Sequence, residues 1–558
     1  MRRSYLWLAI VSMILLGLVR IISTYSTFSF TLDERAHLLT GMEWWDRGTY
    51  EFEVLHPPLG RIVMALPLYL DGKRLAPEVR AYTCPRSFVD EIRRVDKEVK
   101  EGFFKSYCLR KNSSKFLIEG NIYRTLALAR GAASLFFVIA SLYVFLLGKR
   151  WLGEKGGLAS LFVFTMTPVV LGVSSLALTD IPFTAMFLMA LHAMQCLMEN
   201  PRWRMALYAG IAVGLAFATK FTALMFVPLG AALLIAFRFW QNRTWPLPPW
   251  KYILSAVAVC FFVIWSIYRF SMGTPAQVFP AAETFSHEEG WPAHLMTENI
   301  LPMPEFFQGI ISVAQKSEKG HGSYLFGKLD HQGVWYFFPS QLLLRTPIPI
   351  VALFIIGMGL MIRDAWRGRD RTILIPLVLF WLMLAMVLPS RINIGLRHVI
   401  HFYAPLAMVA GYAIARFSES GKKWGASGVL SFGAVFVASA MAHPNYYSDY
   451  WKLLDPNPEC CIDIPDLDFA QDRKRIADFV NKEDIPEIIV CGFNTDLYED
   501  YTKRKIIQKC PHEKPEGWFA LALSKRYDRA SKLEWIGAYE PVRRLGTSTD
   551  IYYFPPEE

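Results

Sequence analysis

Apolar blocks, most of them close to the about 20 residues that a helix needs to cross a bilayer, recur along this chain. No other feature restricts its fold as strongly. The spacing predicts membrane spans near 5–24, 124–148, 156–176, 181–198, 204–219, 221–240, 252–271, 346–362, 372–389, 396–417 and 425–442. In hydrocarbon every backbone N–H and C=O must be paired internally, which leaves helices or closed barrels, and blocks of this length select helices. Composition agrees, since 53% hydrophobic residues and a mean hydropathy of +0.25 are too apolar for an ordinary soluble enzyme.

The connections give the topology, because short cytoplasmic loops collect Lys and Arg while short exterior loops do not. Arg2, Arg3, Lys149, Arg150, Lys155, Arg202, Arg204, Arg238, Arg243, Lys251, Arg363, Arg367, Arg369, Arg371, Lys422 and Lys423 all fall on one side if the N-terminus is cytoplasmic. The segments 25–123 and 272–345, and everything after about 443, are then exterior. The net charge of +10 is largely this asymmetry. No basic stripe with interleaved aromatics suggests nucleic acid. No small-residue cleavage site follows the first span, which is read as an anchor.

Cys196 and Cys260 lie in spans and read as packing residues. Cys84, Cys108, Cys460, Cys461, Cys491 and Cys510 are exterior, where an oxidising compartment allows a Cys84–Cys108 bridge and one or two more in the tail. The piece 60–72 is too short to cross and reads as interfacial or re-entrant, while 87–107 has the charge pattern of an amphipathic surface helix. Beyond 443 a helical stretch at 471–483 precedes strand-like runs at 487–493, 505–510, 517–523 and 550–554. Residues 443–558 therefore form a small soluble α/β domain after the membrane domain 1–442.

Chemistry concentrates on the exterior side. "TLDERAHLLTGMEWWDRGTYEFEVLHPPLGR" (31–61) brings Asp33, Glu34, His37, Glu43, Asp46, Glu51, Glu53 and His56 together just past the first span. In a helix over 33–46, Asp33 and His37 share a face and Glu34 lies three residues from His37. The prolines of "HPPLG" then force an extended turn that folds the short apolar piece back over the acidic helix. Asp180, in "ALTDIP", has the local pattern of a helix N-cap but shares the membrane side of Asp33. Lys220, Arg391 and Arg397 are cations in short exterior connections, where the positive-inside bias disfavours them; a lipid phosphate is the simplest anionic partner. His321, His398 and His401 carry weaker signals, since a lone His in an aromatic setting is more often a structural hydrogen-bonding residue. Carboxylates that take a proton from a hydroxyl, beside cations that steady a departing phosphate, suit sugar transfer from a lipid phosphate.

At these residues the sequence resembles the GT-C superfamily of membrane glycosyltransferases that use polyprenyl-phosphate sugars, in particular the protein O-mannosyltransferase and aminoarabinose-transferase branch. "LDERAH" is similar to the Asp-Glu motif of the first exterior loop, and "HPPLGR" to a His-Pro-Pro-Leu-Gly-Lys segment with Arg61 in place of Lys. "ALTDIP" and "ATKFTAL" resemble the second acidic motif and the Lys motif. "GVWYFFPSQLLLRTPIP", "NIGLRHVIHFYAP", "DLDFAQDRKRIADF" and "EPVRRLGTSTDIYYF" resemble segments of members with an exterior tail. There the family more often reads Asn-Leu-Asp-Trp-Gly-Gln-Asp, against Phe469 and Ala470 here. This departure bears on the tail and leaves the membrane site untouched.

The resemblance implies a mainly α polytopic bundle of about eleven to thirteen spans, with exterior loop helices and a small C-terminal α/β domain. It implies inverting transfer of a monosaccharide from undecaprenyl or dolichyl phosphate to an acceptor hydroxyl. Asp33 is the general base, with Glu34 and Asp180 positioning substrates; Lys220, Arg397 and Arg391 bind the donor phosphate; and His37, His56, Arg61, His321 and His398 contact substrate. No cofactor is required, a divalent metal at Asp33, Glu34 and His37 being the minor alternative. The partners are the lipid-linked sugar, an acceptor lipid, protein or glycan, and membrane lipid, with no nucleic acid. The location is a bacterial inner membrane or the ER, with the site exterior. A transporter or lipid flippase is the competing class, but such proteins tend to place ionisable sites near the midplane within inverted repeats, and neither is seen here. A receptor would leave the acidic cluster unexplained.

Overall fold

Every apolar block read from the sequence is helical in the computed structural model, which describes residues 3–75, 121–243, 247–275, 299–326, 328–330, 332–419, 422–449, 464–492, 501–526 and 533–556. The expected surface helix at 87–107 and the Cys84–Cys108 pair lie outside the described residues. Helix α1 (Arg3–Ile22) is followed by α2 (Leu32–Asp46) and α3 (Leu59–Leu70), then by α4 (Ile122–Met166), α5 (Pro168–Ser174), α6 (Asp180–Glu199), α7 (Trp203–Phe217), α8 (Ala223–Asn242) and α9 (Trp250–Ile267). After two short strands, β1 (Met272–Gly273) and β2 (Leu301–Pro302), come α10 (Pro304–Lys319), the β3–β4 hairpin (Ser323–Leu325, Lys328–Asp330), α11 (Phe337–Arg345), α12 (Ile348–Trp366), α13 (Ile375–Val387), α14 (Tyr403–Glu419) and α15 (Lys422–Met441). Among the described residues, seven helices are long and apolar enough to cross a membrane. The chain is a multi-pass membrane protein.

Straight, the 45 residues of α4 would measure about 68 Å, more than twice the roughly 30 Å of hydrocarbon. They turn back instead at Gly153, whose φ of 82° and ψ of 175° lie outside helical space and are open to glycine without steric cost. The reversal presses Gly148 against Gly157, where a Cβ on Gly148 would sit 3.1 Å from the facing Cα. Two predicted spans thus become one helical hairpin with Lys149 and Lys155 at its tip. Helix α14 is buried along nearly its whole length, as an all-round apolar helix at the bundle axis must be.

The short piece α3, about 18 Å long, does not cross. It lies against α2, where Trp45 Nε1 donates to the Ile62 carbonyl at 2.8 Å, and the Leu59 N–H donates to Ala218 at the end of α7 at 2.9 Å. The predicted fold-back is therefore present.

The C-terminal domain carries α16 (Ile464–Leu467), α17 (Arg473–Lys482), β5 (Glu487–Cys491), β6 (Lys505–Gln508), β7 (Gly517–Ala522), α18 (Leu523–Arg526), β8 (Arg543–Leu545) and β9 (Thr549–Phe554). Its five strands run in the order β6-β5-β7-β9-β8, with β5 parallel to β6 and β7, and β9 antiparallel to β7 and β8. Helix α17 packs Ile476, Phe479 and Val480 on one face of the sheet. A disulfide joins Cys491 to Cys510, one of the tail bridges the sequence allowed. Of the described strands in this domain β8, three residues long, was not legible from the sequence.

Candidate functional site

The site forms where α2, α6, the Lys220 turn and the 3₁₀ helix Leu396–Phe402 converge at one end of the bundle. Thr31 precedes α2, and its N–H donates to Glu34 Oε2 at 2.9 Å, the acidic half of a capping box. The same carboxylate accepts the Thr31 hydroxyl at 3.0 Å, two Arg130 nitrogens at 2.8 Å each, and the Ala177 N–H at 2.8 Å. Burial alone would raise the Glu34 pKa. The Arg130 charge and these hydrogen bonds outweigh it and hold the carboxyl below the ordinary glutamate range. Arg130 also donates to the carbonyls of Phe28 and Ser29, so the pair pins the α1–α2 connection to α4. Glu34 is fully buried and has no lone pair left for a substrate. Its expected place among the catalytic groups is corrected to a structural one.

Asp33 points the other way. Its carboxylate meets Arg397 Nη2 at 2.7 Å, and 43% of its side chain stays accessible. Desolvation by the surrounding atoms pushes its pKa up, but the charge and hydrogen bond of Arg397, followed by His56 and His398, hold it below the ordinary aspartate range. A second acid–cation pair lies beside this one: Asp180, the first residue of α6, accepts Lys220 Nζ at 2.5 Å. Asp180 makes no cap; its side chain is spent on Lys220. Arg397 and His56 are within electrostatic range of Asp180, and His56 is in range of Asp33, Asp180 and Lys220. Four charged groups predicted from separate motifs thus share one recess.

Two imidazoles complete its wall. Among the described residues His56 Nδ1 and His398 Nε2 are buried without a hydrogen-bond partner, and the two rings interact electrostatically with each other and with Asp33. Burial, then the Lys220 charge, lowers the His56 pKa to about 4, which leaves a neutral ring able to donate or accept. His401, by contrast, is packed edge-on against Phe183, Phe226 and Phe402, an aromatic packing role in place of the hydrogen-bonding one its setting suggested.

His37 and Arg61 serve the frame. Arg61 is fully buried; its Nε donates to His37 Nδ1 at 3.1 Å, and its Nη1 donates to the Tyr50 hydroxyl at 2.9 Å and the Glu53 carbonyl at 2.6 Å. Its Nη2 pairs with the Glu53 carboxylate. The expected substrate contact from Arg61 is corrected to a strut that holds segment 50–56 on α2. Burial, then Arg61, lowers the His37 pKa well below the ordinary value, so His37 is a neutral acceptor at Nδ1. Its Nδ1 thus faces the frame, while its ring meets His56 edge-on, 5.3 Å between centroids.

Glu43 closes the same segment from the far end of α2. It accepts the Thr49 hydroxyl at 2.9 Å and the N–H groups of Glu51 and Phe52 at 2.7 and 3.0 Å. Burial raises its pKa to about 7 despite these bonds.

Arg391 and His321 do not join the site. The exposed Arg391 reaches the Glu318 carbonyl at 3.4 Å, the His321 N–H donates to the Arg391 carbonyl, and His321 Nδ1 faces its neighbour's carbonyl at 2.8 Å. Both residues are engaged with each other's surface loop. At the residues of the metal alternative, Asp33 is paired with Arg397, Glu34 is engaged by Arg130 and His37 Nδ1 accepts from Arg61. Among the described residues no three His, Cys, Asp or Glu side chains converge to hold an ion.

Sequence reasoning passed over Arg130, although a lone cation inside an apolar span was a signal. It also passed over Lys316 of α10, an exposed cation within electrostatic range of His56. A cavity of about 350 Å³ with an apolar wall runs between α6, α7, α8 and α9. It extends from Phe217, near Lys220 in the chain, to Met198 and Pro248 toward the opposite face.

Residues 124–268 match the family model described as dolichyl-phosphate-mannose-protein mannosyltransferase, a stretch that includes Arg130, Asp180 and Lys220. That family belongs to the GT-C superfamily that the motifs resemble. No curated protein sequence matches the chain. Among solved structures the chain is similar to ArnT from Cupriavidus metallidurans bound to undecaprenyl phosphate, at 12% identity and a TM-score of 0.48, over 98% of this chain and 97% of that one. The apo state of the same protein gives 12% identity and 0.47, over 97% of each chain. The Archaeoglobus fulgidus oligosaccharyltransferase, in complex with Zn and sulfate, gives 12% identity and 0.41, over 92% of this chain and 68% of that one.

Proposed function

We propose that this chain transfers a monosaccharide from a polyprenyl-phosphate donor to an acceptor hydroxyl, with inversion at the anomeric carbon. One observation carries the reading: the pairs Asp33–Arg397 and Asp180–Lys220 meet in one recess at the end of a membrane bundle. The family match over 124–268 supports the same class of reaction.

In the resting site each cation is held by a protein carboxylate, so the quartet is neutral. A donor phosphodiester brings one negative charge and draws Arg397 and Lys220 toward it. Arg397 then leaves Asp33, and with its partner gone the Asp33 carboxylate becomes more basic. The acceptor oxygen attacks the anomeric carbon, its proton passes to Asp33, and the carbon–oxygen bond to phosphate breaks with the electron pair on the phosphate. The leaving group gains a negative charge as the protein gains a proton, and both cations face it. Direct displacement at carbon inverts the configuration.

His56 and His398, neutral or unpartnered at the wall, supply hydrogen bonds to sugar hydroxyls. The isoprenoid tail of the lipid lies along the apolar helices that descend from Lys220. The site face is the exterior one by the distribution of Lys and Arg.

The test is transfer in liposomes from polyprenyl phosphates carrying labelled mannose, glucose or aminoarabinose, with the product anomer read by NMR. Inverted product from one donor is expected. Retained configuration contradicts the mechanism, and lipid movement across the bilayer without transfer replaces the enzyme with a flippase.

A further inference from the structure

We propose that the segment Asp466–Asp472 of the C-terminal domain is a working part of the transfer site, with Phe469 the positioning residue that presents the Arg397 guanidinium to donor phosphate. The inference rests on the transferase reading and gives the tail domain a task within it. It also revises the expectation that the unusual tail motif leaves the membrane site untouched.

The segment is buried from end to end: Asp466, Leu467, Asp468, Phe469, Ala470, Gln471 and Asp472 are each at most 5% accessible. It holds its own shape. Gln471 Oε1 accepts the Phe469 N–H at 2.6 Å, its Nε2 donates to the Leu467 carbonyl at 2.8 Å, and Asp468 accepts the Ala470 N–H at 3.1 Å. Ala470 takes a φ of 62°, where the family's more usual glycine would sit without strain. Such a shape, kept in a buried loop by its own polar side chains, is specified by the sequence.

Both halves of the Asp33–Arg397 pair are then gripped by this one segment. On the Asp33 side, Ser29 donates its N–H to the Gln471 carbonyl at 3.0 Å, and its hydroxyl reaches the carbonyls of Ala470 and Gln471 at 3.0 and 2.9 Å. On the Arg397 side, Asp466 Oδ2 accepts the Leu396 N–H at 2.7 Å, which caps the 3₁₀ helix that carries Arg397. Asp466 Oδ1 pairs with the buried Arg345 at 2.7 Å. The contact is so close that a Cβ at Gly395, whose φ is 81°, would lie 2.7 Å from Asp466 Oδ1. Between these anchors the Phe469 ring lies under the Arg397 guanidinium, 4.2 Å from ring centroid to Cζ, and is itself stacked on Tyr447.

A ring face holds a guanidinium without using its N–H groups. Arg397 therefore keeps its hydrogen-bond donors free to pass from Asp33 to phosphate while its plane stays fixed. A carboxylate in the same position would compete with the donor for those N–H groups. A purely apolar side chain would leave the guanidinium plane unrestrained.

The test measures affinity for undecaprenyl phosphate in detergent micelles, with thermal melts of each variant and, separately, donor and acceptor KM. Phe469→Leu is expected to weaken undecaprenyl phosphate binding and raise donor KM by about 3- to 30-fold, with acceptor KM unchanged. Phe469→Trp restores both. In an Arg397→Gln background Phe469→Leu has no further effect, as it must if the ring acts through that guanidinium. Where leucine lowers the melt, Phe469→Met, closer in volume, is read by the same cycle. Unchanged binding in Phe469→Leu, equal effects on donor and acceptor, or an effect that persists without Arg397 each overturn the proposal. Binding does not depend on turnover, so a wild type that binds undecaprenyl phosphate through Phe469 and transfers no sugar would refute the transferase reading alone.

Discussion

Asp33 and Arg397, near opposite ends of the membrane domain in sequence, meet at 2.7 Å, and the acid remains partly open to the recess while the guanidinium is buried. A base tied to a cation is weak until the cation is claimed by something else. In the proposed mechanism the claimant is the donor phosphate, so the base becomes competent when the substrate is in place.

That relationship sets the pH dependence. The folded pKa of Asp33 is depressed, so the carboxylate stays ionised as pH falls through the ordinary range and is lost only below it. The acid limb of kcat/KM, which reports the free enzyme, should therefore lie below the usual aspartate range in the wild type. In Arg397→Gln it should move up by about one to three pH units, alongside the loss of donor affinity. A pH–rate series on both proteins checks this, and an acid limb common to the two would mean that Asp33 is not the titrating group.

Arg130 and Glu34 should carry stability with no direct part in chemistry. Both are fully buried, and Arg130→Met leaves Glu34 as an unpaired buried charge, a change that typically costs about 3–5 kcal/mol. The variant should melt well below the wild type. Adding Glu34→Leu should restore part of the loss, because Thr31 and Ala177 still miss their acceptor. Melts of the single and double variants in detergent decide it, and a wild-type melt for Arg130→Met would remove the strut.

Glu43 gives a pH-dependent contribution of the opposite sign to Asp33. Its folded pKa, raised to about 7, exceeds the ordinary value, so between the two the folded protein binds more protons than the unfolded chain. Its contribution is fully present below the ordinary glutamate pKa and is lost as pH rises through about 7. The melting advantage of wild type over Glu43→Gln should therefore shrink by a few degrees between mildly acid and mildly alkaline buffer. An advantage constant across that window would place the proton elsewhere.

The spans were legible because their period and length leave few alternatives, and Asp33, Asp180, Lys220 and Arg397 were legible because a shared membrane side is a strong constraint. Glu34 was misread for a geometric reason: neighbours on a helix point about 100° apart, so one acid of the pair faces the recess and the other faces α4. Arg391 and His321 lie on loops, where sequence gives side but not direction. The contact of Phe469 with Arg397 joins two domains across a long stretch of chain, and no local pattern encodes such a pairing. Its motif was visible in the tail, but its target was not.

Sugar transfer by Asp33→Asn, measured beside the wild type at equal melting temperature and at saturating donor, bears most directly on the central claim. The asparagine keeps the shape and cannot accept the acceptor's proton. Transfer should fall by about 10²- to 10⁴-fold, the usual worth of a general base, while the lipid still binds. A folded Asp33→Asn protein that transfers sugar at the wild-type rate would contradict the account.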